Sequence, residues 1–263
     1  MLFHFDSVEQ FARTCAGLPA AAIARASSFG LDWYGGLDWN ETVARALRGD
    51  DSLVPQAEAL IAKLEGAIEV QGYQVRPDVW GSRVSVPDYL AGSPTSMRRR
   101  AKVASDLSPI GVYVSVTSSA SISAETLLRR GTAILALIMK LERVRPVSLR
   151  LITELDGVAD GNHVQVIPIE SQPLNLSTAC FALARTGFDR HLCHAYGHAC
   201  DGYAGGWAAR IHDGETAYTQ WLRDHVGMAP QDLYIKRAAV GDALLSDPVA
   251  WINQQVQKTM EEN

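Results

Sequence analysis

Residues 110–116 read Ile-Gly-Val-Tyr-Val-Ser-Val, an apolar run broken only by a glycine and a serine. A strand of this composition needs cover on both faces, which means a sheet enclosed between layers. A turn follows in which Thr117, Ser118, Ser119, Ser121 and Ser123 supply hydroxyls. Leu127, Leu128, residues 133–139 and Leu141 then mark a helix that is apolar on several sides and therefore largely buried. Ser121 or Ser123 can cap that helix, and Glu125 falls in its first turn, where the helix dipole favours an acid. Strand, turn and buried helix together predict an α/β fold. They also set a hydroxyl-rich turn at the carboxyl end of a strand and the amino end of a helix, a common place for a ligand site. The turn holds no carboxylate, no glycine-rich phosphate cradle and no adjacent base, so it announces an architecture and not a reaction.

The flanking patterns extend this reading. Residues 147–153 and 164–169 have strand character and can pair as a hairpin, and residues 175–185 predict a helix. A glycine-rich loop at 201–215, a short helix at 218–225, a last strand at 233–236 and a terminal helix at 249–260 complete that half. Upstream, residues 6–16, 38–49 and 53–68 have helical spacing, with Asp6 or Ser7 and Asp38 as caps. Val75, Val79, Val84 and Val86 alternate with polar residues, which predicts strands joined by a hairpin turn at Gly81-Ser82. The expected organisation is a mostly helical N-terminal region with a β-hairpin over residues 1–103 and an α/β domain over 104–263, or both as one continuous domain.

Composition bounds the function classes. The 263 residues are 47% hydrophobic and 20% charged, an ordinary globular balance. A net charge of -5 argues against non-specific nucleic-acid binding by the chain as a whole. The start, Met1-Leu-Phe-His-Phe-Asp, lacks the basic and apolar stretches of an export signal, and no apolar run is long enough to span a bilayer. A cytoplasmic chain with no membrane partner is expected. Cys15, Cys180, Cys193 and Cys200 are too sparse for a disulfide framework and read as reduced thiols.

The unit from Val112 to Thr153 resembles the opening strand–helix–strand of a von Willebrand factor A-like domain. That family carries a D-x-S-x-S motif after its first strand, which helps to hold a divalent metal. Ser119 and Ser121 occupy the two serine positions, while Thr117 stands where the aspartate belongs. The resemblance implies a Rossmann-type sheet with helices on both faces. It also implies a degenerate metal or anion loop at Thr117, Ser119 and Ser121, with Thr178 as the threonine supplied from a later loop. Asp242 is the candidate for the final acid. Hydroxyls alone bind Mg²⁺ poorly, so the loop is expected to hold no cofactor. Four segments, at residues 33–39, 86–94, 129–137 and 182–185, are also similar to a group of tailed-phage proteins. This likeness implies a phage-encoded accessory protein in the host cytoplasm and brings no mechanism.

Three other clusters bear on function. In the sequence His191-Leu-Cys-His-Ala-Tyr-Gly-His-Ala-Cys200, a regular helix sets His191, His194 and His198 within about 60° of one another. Three imidazoles match the ligand count of an open zinc site, although the glutamate of an H-E-x-x-H motif is absent, so a Zn²⁺-dependent hydrolase is one reading. Arg98, Arg99, Arg100 and Lys102 form the concentrated basic run, which can meet nucleic-acid phosphates or an acidic partner, or else form a solvated loop or helix face. No aromatic residue interleaves that run, so base stacking is not expected from it. Trp33, Trp39, Trp80 and Trp207, with Tyr34, lie near turns, where large aromatics close a core edge or anchor a partner. The leading expectation is a non-enzymatic module that binds a protein partner through its strand-end loops, with the zinc hydrolase and a nucleic-acid-binding phage factor as alternatives.

Overall fold

The computed structural model describes residues 1–65, 73–80, 83–102, 109–142, 145–157, 162–169, 174–200, 203–207, 215–239 and 243–261. The described strands are β1 (Leu2–His4), β2 (Tyr73–Asp78), β3 (Arg83–Val84), β4 (Met97–Lys102), β5 (Ile110–Ser115), β6 (Val147–Gly157), β7 (Asn162–Ile169), β8 (Tyr203–Trp207) and β9 (Leu233–Ile235). The described helices are α1 (Val8–Ala16), α2 (Ala20–Ala26), α3 (Trp39–Arg48), α4 (Val54–Glu65), α5 (Val86–Leu90), α6 (Ala124–Glu142), α7 (Leu176–Ala184), α8 (His194–Ala199), α9 (Glu215–Val226), α10 (Ala243–Ser246) and α11 (Pro248–Glu261). A 3-10 turn spans Leu31–Tyr34, and a π-helical turn, Phe188–Cys193, leads directly into α8.

The main sheet has the order β1-β7-β6-β5-β9. Three of the four pairings along this order are parallel, β6 with β7 is the antiparallel hairpin, and β8 pairs with β6 off this path. Every residue of β5 is buried, and successive side chains enter different cores. Ile110, Val112 and Val114 join the larger core with Ile134 and Leu137 of α6 and Phe181 of α7. Tyr113 joins the second core with Ile152, Val164, Tyr218 and Leu222, under α9. The continuous apolar character of this strand is thus the price of two covered faces.

Local signals set several helix ends. Ser7 Oγ accepts from the Gln10 N–H, Asp38 Oδ1 from Glu41 and Asn175 Oδ1 from Thr178, each an N-cap that satisfies one free backbone donor. Gly49 ends α3 with φ 85°, in the positive-φ range that glycine tolerates best.

Four features differ from the sequence reading. Residues 2–4 form β1, which pairs with β7 through Leu2–Val164 and Phe3–Gln165, so the first residues join the C-terminal sheet. β2 and β3 do not form a hairpin with each other, because β4 lies between them in a sheet of order β2-β4-β3. The connecting Gly81-Ser82 lies outside the described residues. The basic run is therefore a central strand and not a loop or helix face. Within the expected glycine-rich loop, residues 203–207 form β8, which pairs with β6 at Leu155 and Gly157. β5 stops opposite Ile152, so β6 overhangs it, and β8 pairs with that extension.

Candidate functional site

The chain changes direction after β5 at Val116, and Thr117 and Ser118 turn inward. Thr117 Oγ1 accepts from the Glu154 N–H at 2.9 Å, and Ser118 Oγ donates to Asp189 Oδ2 at 3.4 Å. Both residues are buried. Beneath them lie two buried carboxyl groups. Glu154 Oε2 accepts from Ser115 Oγ at 3.1 Å, and its Oε1 accepts from the Tyr234 hydroxyl at 2.7 Å. Burial drives the Glu154 carboxyl upward from its ordinary pKa, against the pull of those hydroxyl donors. Asp189 is pushed up to about 7, first by burial, against the opposing pull of Arg190, with the charge of Glu154 adding to the rise.

Two buried arginines hold the strand-end loops. Arg130 of α6 donates to the carbonyls of Ser115 and Lys236, which ties the exits of β5 and β9 to one helix. Arg190, 3% exposed, donates to the carbonyls of Trp33 and Ile122 at 2.8 and 2.9 Å. Its guanidinium carbon lies 3.7 Å from the centroid of the Trp33 ring, a cation–π stack. Arg190 therefore joins the 3-10 turn to the β5–α6 turn. That 3-10 turn closes through Gly35 and Gly36, both at positive φ, whose N–H groups donate to Asp32 and Leu31.

Between these elements lies a cleft of about 580 Å³. Arg25 of α2, Arg190, His194 and His198 supply its nitrogen groups, and Phe29 and Trp33 supply its rings. Ser28, Ala26 and Ala120 complete the lining, so no carboxylate faces the space among the described residues. Phe29, 64% exposed, gives the cleft an apolar lip. Burial lowers the pKa of His194 to about 4, and the nearby His198 and Arg190 lower it further. His198 is lowered as well, by burial and then by Arg25. At neutral pH the His194 imidazole is neutral.

The π-helical turn splits the histidine cluster. His191 points to the N-terminal helices, with Nδ1 3.0 Å from Thr42 Oγ1 and its ring stacked 3.6 Å from Tyr34. His194 and His198 line the cleft instead. The carbonyls of Leu192 and Cys193 are met by Cys15 Sγ and Gln165 Nε2, which supports the widened turn. Among the described residues no three His, Cys, Asp or Glu side chains converge on one point. The donors at the β5–α6 turn do not fit Mg²⁺ either. Ser119 and Ser121 hydrogen-bond each other at 3.0 Å, and Thr117 is turned into the sheet.

Thr178 is not brought to those serines. It lines a separate small cleft with Pro168 and Ile169, which pair with Arg150 and Leu149 in the first half of β6, away from the strand end. Asp242 and the side chains of Arg98, Arg99, Arg100 and Lys102 lie outside the described residues, although the last four positions fall on β4.

Sequence patterns single out Trp33, His194 and His198 but miss Arg25, Arg190, Glu154 and Asp189. A lone buried charge has no periodicity. The faint signal available was a charged pair, Asp189-Arg190, inside an otherwise apolar helical stretch.

Fold and cleft together define an α/β protein with a cationic, aromatic pocket beside its strand ends. Residues 1–220 match the family described as Domain of unknown function (DUF7192), and the chain belongs to that family. Neither the curated proteins nor the solved structures contain a match to the chain.

Proposed function

We propose that this protein is a non-catalytic binding module of von Willebrand factor A-like architecture that takes an acidic segment of a partner protein into its strand-end cleft. The strand–turn–helix–strand unit, with β5 parallel to β6 and serines at the turn, supports the architectural part. A phage-encoded accessory role in a host cytoplasm is the setting that the tailed-phage likeness adds. The observation that carries the binding part is the lining of the cleft: two arginines, two aromatic rings and, among the described residues, no acid. Aromatic residues and arginine are the side chains most often found to dominate partner binding. The two carboxyl groups nearby are buried beneath the loops and engaged by hydroxyls, so neither is presented to a bound molecule as a base.

The test is an intrinsic-fluorescence titration of the full chain with an oligoglutamate peptide, and with an oligoglutamine peptide of the same length as control. Trp33 stacks on Arg190 in the cleft, so occupancy is expected to change its emission, and Trp33→Phe is expected to remove that change. Arg25→Glu replaces an attraction with a repulsion and is expected to weaken oligoglutamate binding by roughly tenfold or more. Equal affinity for both peptides, or an Arg25→Glu chain that binds as the wild type does, would contradict the reading.

A further inference from the structure

We infer that the three-stranded sheet β2-β4-β3 is a docking face for single-stranded nucleic acid, a surface distinct from the strand-end cleft. The basic run has no aromatic neighbour in sequence, yet strand pairing brings one to it. The register sets Lys102 opposite Tyr73, Arg100 opposite Val75, and Arg98 opposite both Pro77 and Arg83. Directly opposed residues share a face, and the same face recurs at every second residue. One face therefore carries Arg83, Arg98, Arg100 and Lys102, with Tyr73 among them and no acidic residue.

Along β4 these cations recur at about 7 Å, two strand rises. In the register Arg98 stands opposite Arg83, and Arg76 stands opposite Arg99 on the other face. The charge of the chain is segregated accordingly. Residues 73–102 hold six of the 24 basic and two of the 29 acidic residues, a net +4, and the remainder carries -9. This local excess of positive charge steers a polyanion toward the unit.

Exposed rings adjoin it. Trp80, 59% exposed, follows β2, and Tyr89, 67% exposed, stands on α5 between β3 and β4. Pro77, on the cationic face, is exposed too. Single-strand binders combine a row of cations for the phosphates with rings for the bases. A single row of cations on the central strand follows one backbone, whereas a duplex presents two. A bilayer surface favours an apolar face with cations on the opposite, polar side, and here the cations occupy the centre of a face.

The test is fluorescence anisotropy of a labelled oligothymidylate of about 20 nucleotides, longer than the ~4–16-nucleotide site of one small β-module, titrated with the full chain. Binding is expected at low salt, with log K falling against log salt by about 0.7 per phosphate contacted. Combining Arg98→Gln, Arg100→Gln and Lys102→Gln is expected to weaken binding roughly tenfold or more and to flatten the salt slope by about two. Trp80→Ala is expected to weaken binding several-fold and to leave the slope unchanged. Far-UV circular dichroism checks each variant, and Arg83→Gln together with Trp80→Ala carries the test if the triple variant misfolds. The inference fails if the chain does not bind at low salt, or if every folded variant binds as the wild type does. It also fails if a duplex of equal length binds better, or if the only anionic surface bound is a phosphatidylserine vesicle.

Discussion

The burial of Asp189 makes the stability of the fold depend on pH. Its folded pKa is about 7, whereas an unperturbed aspartate titrates near 3.9. Between those values folding takes up a proton, so the cost of keeping Asp189 buried grows as pH rises from about 4 to about 7 and then levels off. His191 and His194 act in the opposite sense. Each is lowered to about 4, chiefly by burial, so the unfolded chain binds their protons first and acid destabilises the fold below about 6.5. Asp189→Asn isolates the acid, since its amide oxygen can still accept from Ser118. The pull of Arg190 on the carboxylate is already contained in the folded pKa of about 7, so the slope with pH is the readout. The stability of Asp189→Asn relative to wild type is expected to rise between pH 4 and 7, with a ceiling of about 4 kcal/mol, and to stay flat above. Paired urea titrations across that range measure it, and a difference independent of pH would mean that Asp189 ionises as an exposed carboxylate does.

At the scale of the element, α6 and α7 meet closely at one point. A Cβ built on Gly131 would lie 2.5 Å from both Cα and Cβ of Ala184, closer than real contacts allow. Gly131→Ala improves helix propensity by up to about 1 kcal/mol, yet forcing the helices apart costs about 1–3 kcal/mol. Net destabilisation is expected, read as a lower urea midpoint with an unchanged m-value. Nothing in the sequence marks that contact, because Gly131 sits within a regular apolar pattern. What the sequence makes legible is what repeats locally: the cap Asp38, the choice of Asp6 or Ser7 as the first cap, the period of α6 and the two-sided burial of β5. What it hides is decided elsewhere in the chain. The basic run becomes a strand because β2 and β3 flank it. The histidines divide because a π-helical turn, with carbonyls met by Cys15 and Gln165, replaces the regular turn on which equal angular spacing depends. The cleft is assembled from α2 and the residues after it, a 3-10 turn, the β5–α6 turn, the π-helical turn and α8, segments that no short window spans.

Across the whole molecule, the change of sequence pattern near residue 103 does not separate two hydrophobic cores. Phe5, Phe11, Cys15, Leu37 and Ala46 belong to the same core as Val112, Ile134, Phe181 and Leu192. Phe11 makes ring contacts with Phe5 at 4.8 Å, Phe188 at 5.8 Å and Tyr196 at 6.0 Å, so one buried side chain joins the first helix to the histidine-bearing segment. Asp50 adds a polar tie, with Oδ2 accepting from Arg45 of α3 and from Arg185 just beyond α7, both at 2.8 Å. Burial alone would raise its carboxyl, but the Ser52 hydrogen bonds and Arg185 outweigh this and hold its pKa near 2, so the tie stays charged above about pH 4. Elements that share one core open together. Unfolding in urea is therefore expected as a single transition, with tryptophan emission and far-UV circular dichroism superimposing. Phe11→Ala leaves a cavity where the two halves meet and is expected to cost about 3–5 kcal/mol. The deciding detail is how that loss is distributed. With a shared core, both probes shift to lower urea by the same amount. If the region before residue 103 folds by itself, Phe11→Ala yields two separated transitions, with the fluorescence of Trp33 and Trp39 lost before the sheet.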